Sequence, residues 1–122
     1  MTPARILVVD DEPRVRKLIE IHLGRRGYEV VGANDGNEAL DALQRQPFAL
    51  IVTDLHMPNL DGLALAQRLR ADPATARIPV VMLSATKRWE DGDAPTEGVD
   101  IFLAKPLEMQ ALTVAVEKLL AA

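Results

Sequence analysis

Apolar residues along this chain follow two alternating patterns, which predict alternating strands and helices. Five short apolar runs, rich in β-branched residues, are typical of strands buried in a parallel sheet. They are residues 5–9, 29–33, 49–53, 79–83 and 101–104. Between them apolar residues recur at helical spacing, as in the stripe Val15, Leu18, Ile19 and Leu23. The predicted helices are residues 13–26, 37–45, 63–70 and 107–120. This alternation predicts an α/β fold with right-handed crossovers and helices on both faces of a parallel sheet.

The crossover between residues 84 and 99 departs from this pattern. Its two glycines, several acids and Pro95 disfavour a regular helix. We expect at most a short or distorted helix around residues 87–91, with more mobility than the other crossovers. Trp89, the only tryptophan, is either a local packing anchor or a partner contact.

Composition narrows the classes of function. The 122 residues suit a single domain, residues 1–122, and 48% apolar residues are enough for a packed core. Only 3% of residues are aromatic and the net charge is −4, which argues against direct nucleic-acid binding. The absence of cysteine excludes disulfides, thiolate catalysis and cysteine-bound zinc. With no apolar run of about 20 residues and no signal peptide, we expect a soluble, cytoplasmic protein.

Chemically active side chains follow four of the five predicted strands. They are Asp10 and Asp11 after the first, Asp54 after the third, Ser84 after the fourth and Lys105 after the fifth. Ligands of open parallel sheets sit beyond the carboxyl ends of the strands, so we expect these side chains to converge on one rim. Carboxylates brought together repel each other unless a cation joins them, and a hard divalent ion such as Mg²⁺ suits oxygen ligands.

Each of these residues also has an ordinary structural explanation. Asp11 alone would be a helix cap, Lys105 a solvated charge, and Ser84 an unremarkable strand end. It is their combination that favours a site. The remaining polar residues that could carry chemistry are interpreted as exposed: His56 at the mouth of the site, and His22, Arg14, Arg16 and Lys17 on a solvated helix surface.

The spacing of these five positions resembles the receiver domain of two-component response regulators, over essentially the whole chain. The resemblance implies a flavodoxin-like, doubly wound sheet of five parallel strands in the order 2-1-3-4-5. Its site would lie at the switch point between the first and third strands.

The resemblance also implies a chemistry. Asp54 would take a phosphoryl group from a histidine kinase or a histidine phosphotransfer protein, assisted by Lys105. Mg²⁺, with Mn²⁺ as an alternative, would be bound by Asp11, by Asp54 and by the backbone carbonyl of His56, and by Asp10 through water. The domain would catalyse its own phosphorylation and slow dephosphorylation and would not be a turnover enzyme.

A conformational switch is implied as well. Ser84 would hydrogen-bond the phosphoryl group, Phe102, otherwise a core aromatic, would move into the vacated space, and Pro106 would follow a cis bond. The changed face would comprise the crossover helix, the fifth strand and the last helix. The expected partners are a downstream effector protein or domain, or a second phosphorylated copy, without direct contact to nucleic acid or membrane.

Two other functions remain open at this point. An Asp-nucleophile phosphohydrolase is faintly supported by the acids at residues 10–12, although the chain is short for such an enzyme. A receiver-like scaffold that never accepts phosphate is the second. The sequence is compatible with either a single-domain regulator or an excised receiver. No Gly-x-Gly-x-x-Gly follows the first strand, which disfavours a dinucleotide-binding domain.

Overall fold

The computed structural model describes residues 3–85 and 98–121. Its strands are β1 (Arg5–Val9), β2 (Glu29–Ala33), β3 (Leu50–Asp54), β4 (Val80–Ser84) and β5 (Ile101–Ala104). Its helices are α1 (Pro13–Arg25), α2 (Gly36–Arg45), α3 (Gly62–Ala71) and α4 (Met109–Ala121). The prediction of a distorted helix in the crossover, and the question about Trp89, concern residues outside the described ranges. Within those ranges no helix has the length and apolar character needed to cross a bilayer.

All strand pairs are parallel, and the strand order is β2-β1-β3-β4-β5. This confirms the predicted fold and strand order. Two strands are displaced by one residue from the prediction, because pairing continues through Asp54, opposite Leu83, and through Ser84, opposite Ala104. Both polar residues are therefore the last members of their strands, and the sheet itself fixes their backbones.

Helices cover both faces of the sheet, as predicted. Alternate strand residues such as Val8 and Val52 pack against α1 and α4, whereas their neighbours, such as Leu7 and Ile51, pack against α2 and α3. The alternation follows from the two-residue period of strand side chains. Leu18 departs from its predicted buried stripe, since it is 59% exposed on α1.

The turn between β3 and α3 brings the helix close to the end of the strand. Asn59 adopts a left-handed backbone with φ of 70°, a conformation that asparagine tolerates better than most residues. Gly62 starts α3, and its N–H donates to the carbonyl of Leu55 over 2.8 Å. A Cβ at this position would collide with the Asp54 carbonyl and lie 2.6 Å from the Met82 sulfur. Because glycine has no Cβ, the first residue of α3 can pack directly against the backbone of Asp54.

Candidate functional site

Three acids meet at the carboxyl edge of the sheet, at the switch point between β1 and β3. Val9 pairs with Thr53, so Asp10 and Asp54 follow at the same level of neighbouring strands. One carboxylate oxygen from each of Asp10, Asp11 and Asp54 lies within 4.8 Å of the others. Asp10 is fully buried and Asp54 is 6% exposed, whereas Asp11 lies in solvent. The convergence expected for these residues is thus present.

Lys105 joins this acidic cluster from β5. Its Nζ lies 3.2 Å from Asp54 Oδ1 and 3.4 Å from Asp10 Oδ2. Its backbone N–H donates to the carbonyl of Ser84 over 2.9 Å, which ties the lysine to the end of β4. The Lys105–Pro106 peptide bond is cis. One ammonium therefore contacts two acids supplied by two other strand ends.

Backbone donors hold the two buried carboxylates in place. The N–H of Glu12 donates to Asp10 Oδ1 over 2.9 Å, and the N–H of Leu55 donates to Asp54 Oδ1 over 3.0 Å. Donors of this kind fix the carboxylates without neutralising them. Their orientation is therefore set before any ligand binds.

The cluster sets three carboxylates against one ammonium, and burial and neighbouring charges together shift the pKa values of Asp54 and Lys105. Burial raises the pKa of the Asp54 carboxyl above its usual range; Lys105 opposes this and Asp10 adds to it, and the net shift is upward. Burial alone lowers the pKa of the Lys105 ammonium, but the charges of Asp54 and Asp10 outweigh burial and raise it. A divalent cation would relieve the excess negative charge, and an all-oxygen donor set with a solvent-facing member suits Mg²⁺.

The other residues of the predicted site surround this cluster. Ser84 is 3% exposed at the end of β4, between the strands that carry Asp54 and Lys105. Phe102 is half-buried, pairs with Met82 and packs on the α2–α3 side of the sheet. His56 is exposed two residues beyond Asp54, as expected. The structure therefore gathers the predicted residues around one rim, with Phe102 farther back along β5.

Arg16 does not lie free on the helix surface on which its sequence position predicted it. We expected it on a solvated surface with Arg14 and Lys17, which are indeed exposed. Instead Arg16 Nη1 donates to the backbone carbonyl of Asp10 over 2.8 Å and to Asn34 Oδ1 over 2.6 Å. The available signal was its position one turn into the helix that follows the acidic loop, from which a long side chain can reach back.

His22 was also wrongly predicted to be solvated. It is half-buried, and its Nε2 lies 2.6 Å from Oγ1 of the buried Thr113. The Thr113 hydroxyl in turn donates to the carbonyl of Met109 over 3.0 Å. Because the hydroxyl proton of Thr113 goes to Met109, Oγ1 of Thr113 accepts a hydrogen bond from Nε2–H of His22. This bond joins α1 to α4 across 91 residues of sequence, so no local pattern could have indicated it.

Comparison with known proteins gives a consistent result. The family model described as "Response regulator receiver domain" matches residues 6–117. The chain is 42% identical over 119 residues to the DNA-binding dual master transcriptional regulator RpaA of Synechocystis, covering 95% of this chain and 48% of RpaA. It is 38% identical over 117 residues to the transcriptional activator protein PfeR of Pseudomonas aeruginosa, covering 95% and 37%. It thus spans less than half the length of either relative.

A solved structure is also closely similar. The response regulator TrrA of Thermotoga maritima, in complex with Mg²⁺–BeF, matches with a TM-score of 0.84 and 32% identity, covering 95% of this chain and 98% of that one. The sequence comparison and the structure comparison therefore indicate the same family, and the fold and the acidic cluster agree with it.

Proposed function

We propose that this chain, which belongs to the receiver-domain family of response regulators, accepts a phosphoryl group on Asp54 and thereby acts as a signalling switch. One observation carries the proposal. Asp54 ends a central strand beside Lys105, at 3.2 Å, with oxygens of Asp10 and Asp11 within 4.8 Å. This is a nucleophile, a fixed positive charge and a set of metal ligands in one place.

The donor we propose is a phosphohistidine on a kinase or a phosphotransfer protein. An oxygen of the ionised Asp54 forms the new bond to phosphorus, and the bond between phosphorus and the donor imidazole nitrogen breaks. The bonding electrons leave with the imidazole, which takes up a proton and departs as a neutral group. Lys105 lies where it would stabilise charge on the phosphoryl oxygens, which is the main contribution a protein makes to such transfers.

The acidic cluster would hold Mg²⁺, or Mn²⁺ in its place. Asp11, Asp54 and the His56 backbone carbonyl would be direct ligands, and Asp10 would act through water. The metal, when bound, neutralises charge between the acids and the incoming phosphoryl group. The Mg²⁺–BeF complex of TrrA supports this assignment at the level of the family.

Ser84 and Phe102 are our candidates for the residues that convert phosphorylation of Asp54 into a change of conformation. Ser84 is the last residue of β4, between the strands whose ends carry Asp54 and Lys105. Phe102 lies on the neighbouring strand, in register with Met82. We propose that the Ser84 hydroxyl binds the phosphoryl group and that Phe102 repacks in response.

A protein donor needs a surface close to the acidic cluster, and α1 offers one. This helix begins at Pro13, two residues after Asp11. It exposes Leu18 by 59% and Ile21 by 42%, and Lys17 is exposed beside them. We propose that the phosphohistidine protein packs on this face, since a helical apolar patch next to a site is a common partner surface. The output partner is an effector domain or protein, or a second phosphorylated copy.

The function is tested by intact-mass spectrometry after incubation with Mg²⁺ and phosphoramidate, a donor with a phosphorus–nitrogen bond. One phosphoryl adduct that hydroxylamine removes should form on the wild type. Asp54→Asn should form none, whereas Asp100→Asn, which alters an acid at the opposite edge of the sheet, should react normally. A wild type without an adduct would support the non-phosphorylated scaffold, and an adduct that persists in Asp54→Asn would refute the acceptor assignment.

A further inference from the structure

The Arg16 side chain connects the loop after β1 to the loop after β2. A single nitrogen, Nη1, donates to the Asp10 carbonyl at 2.8 Å and to Asn34 Oδ1 at 2.6 Å. Asp10 directly follows β1 and Asn34 directly follows β2. The guanidinium therefore bridges two strand ends at the same edge of the sheet as the acidic cluster.

The acceptor on the β2 side is itself held by hydrogen bonds to the start of α2. The backbone N–H of Asn34 donates to Glu38 Oε1 over 2.8 Å, and its amide Nδ2 lies 3.1 and 3.2 Å from the two oxygens of the same carboxylate. Glu38 is in turn fixed at the start of α2, where its N–H donates to Asp35 Oδ1 over 2.9 Å. Arg16 thus binds an acceptor whose position a helix end determines.

The sequence also leaves room for this connection. A Cβ on Gly32 would lie 3.1 Å from Cδ of Arg16 and would collide with the carboxylate of Glu20. Glycine at position 32 on β2 therefore leaves room for Cδ of Arg16 and for the carboxylate of Glu20.

The peptide unit that Arg16 contacts joins two of the proposed metal ligands. Its carbonyl belongs to Asp10 and its N–H to Asp11, so its orientation determines where the Asp11 side chain starts. Asp10 is held by further bonds, from its own N–H to the Ala33 carbonyl at 3.1 Å and from Glu12 N–H to its Oδ1. Asp11 is exposed, and solvent places no constraint on it.

From these contacts we infer that Arg16 is a positioning residue for the metal site: by fixing the Asp10–Asp11 peptide against the loop after β2, it holds Asp11 ready to bind a divalent cation. This inference rests on the proposed function. Arginine suits the role because its planar guanidinium directs hydrogens in fixed directions, whereas a lysine ammonium is a point charge on a flexible stem.

The test measures Mg²⁺ affinity by following amide resonances in NMR titrations of Arg16→Ala, Arg16→Lys and Arg14→Ala. Arg14 is exposed on the same helix, so its variant removes an equal charge without the two bonds. We expect Arg16→Ala to weaken Mg²⁺ binding roughly 10- to 100-fold, as is usual when a residue that orients a metal ligand without touching the metal is removed. Arg14→Ala should stay within about twofold of the wild type, because distant exposed charges are screened. Arg16→Lys should recover only part of the loss, since it restores charge without geometry.

A metal-free measurement separates positioning from folding. Backbone relaxation of the metal-free Arg16→Ala protein should show increased motion at Asp11, while Val9 in β1 stays as rigid as in the wild type. Asn34→Ala is an exposed change that leaves the contact between Arg16 and Asp10 available. It should also increase motion at Asp11 and weaken Mg²⁺ binding, but by less than Arg16→Ala does. This variant tests the inference if Arg16→Ala does not fold.

The inference fails if Arg16→Ala binds Mg²⁺ as tightly as Arg14→Ala does, or if it lowers thermal stability while Asp11 motion and metal affinity stay unchanged. Full recovery by Arg16→Lys would equally overturn it, because charge alone would then suffice. Failure of the proposed function gives a different result, in which the wild type itself binds no Mg²⁺ or forms no adduct; absence of Mg²⁺ binding overturns both.

Discussion

Charged side chains gather at both edges of this sheet, but they are balanced at only one of them. At the amino edge, Arg70 Nη2 lies 3.0 Å from Asp100 Oδ2, which also accepts from the Val80 N–H over 2.7 Å. The remaining Arg70 bonds go to neutral carbonyls, those of Ala76, Ile78 and Gly98. At the carboxyl edge, Lys105 faces the three carboxylates of the acidic cluster.

The difference separates a structural pair from the cluster that we propose to be reactive. Arg70 and Asp100 join α3 to the starts of β4 and β5 with every charge matched, so they stabilise the fold without needing a ligand. The acidic cluster keeps an excess of negative charge in a partly buried place, which is costly unless a cation binds. Burial of the Asp54 carboxyl is the main cause of its raised pKa; Asp10 adds to the rise and Lys105 opposes it. Imbalance of charge, rather than the number of charged groups, therefore distinguishes the edge at which we propose the function.

The largest effect should come from removing a direct metal ligand. Asp11→Ala should weaken Mg²⁺ binding by more than the roughly 10- to 100-fold expected for an outer partner. It should also abolish most of the rise in unfolding temperature that Mg²⁺ gives the wild type. Asp100→Ala, the same change at the balanced edge, should bind Mg²⁺ like the wild type. Equal affinities for the two variants would place the metal elsewhere.

A second prediction concerns the balanced edge. Arg70→Ala leaves three carbonyls without the donor that Arg70 supplies and removes the ion pair of Asp100, so the free energy of unfolding should fall by about 1–3 kcal/mol. Phosphorylation by phosphoramidate should proceed normally in the folded protein. Denaturant unfolding gives the stability, with Arg68→Ala, an exposed change on the same helix, as the control. A stable Arg70→Ala protein, or one that cannot be phosphorylated, would contradict this separation of roles.

Neutralising Asp54 should raise the free energy of unfolding, whereas Arg70→Ala should lower it. Because its pKa is raised in the folded state, the folded protein holds the proton more tightly than the unfolded chain does. The ionised carboxylate therefore opposes folding at neutral pH, and this penalty disappears as the pH falls through the raised pKa. Metal-free Asp54→Asn should be more stable than the wild type at pH 7, with a smaller difference in acid. Asp100→Asn should be less stable than the wild type. A loss of stability in Asp54→Asn would show that the buried Asp54 carboxylate does not oppose folding.

The smallest effect is expected from Ser84→Ala. The variant should still form the adduct, but the chemical-shift changes that phosphorylation causes at Phe102 and Lys105 should shrink. Ser84→Thr keeps the hydroxyl and should respond like the wild type. Identical shift changes in the alanine variant and the wild type would remove Ser84 from the switch.

Sequence periodicity predicted the sheet and the candidate site because both depend on which residues form each strand and which residues follow it directly in the chain. Apolar runs identify buried strands, and whatever follows each run must lie at the carboxyl edge. Periodicity placed the ends of β3 and β4 one residue early, since Asp54 and Ser84 are polar but still paired. The contacts of His22 and Arg70 could not be predicted, because their partners lie far away in the sequence. For Arg16, only the contact with the nearby Asp10 had a local signal. The excess of acids at the carboxyl edge was predicted from the sequence, whereas the matched Arg70–Asp100 pair at the amino edge is visible only in the structure.

The most direct test asks which acid carries the phosphoryl group. Borohydride reduces an aspartyl phosphate to homoserine, so reduction of the phosphorylated protein, followed by peptide sequencing, identifies the modified position. We predict homoserine at position 54 alone, and only when both Mg²⁺ and the donor are present. Homoserine at position 10 or 11, or none at all in protein that carries the adduct, would contradict the assignment of Asp54 as the acceptor.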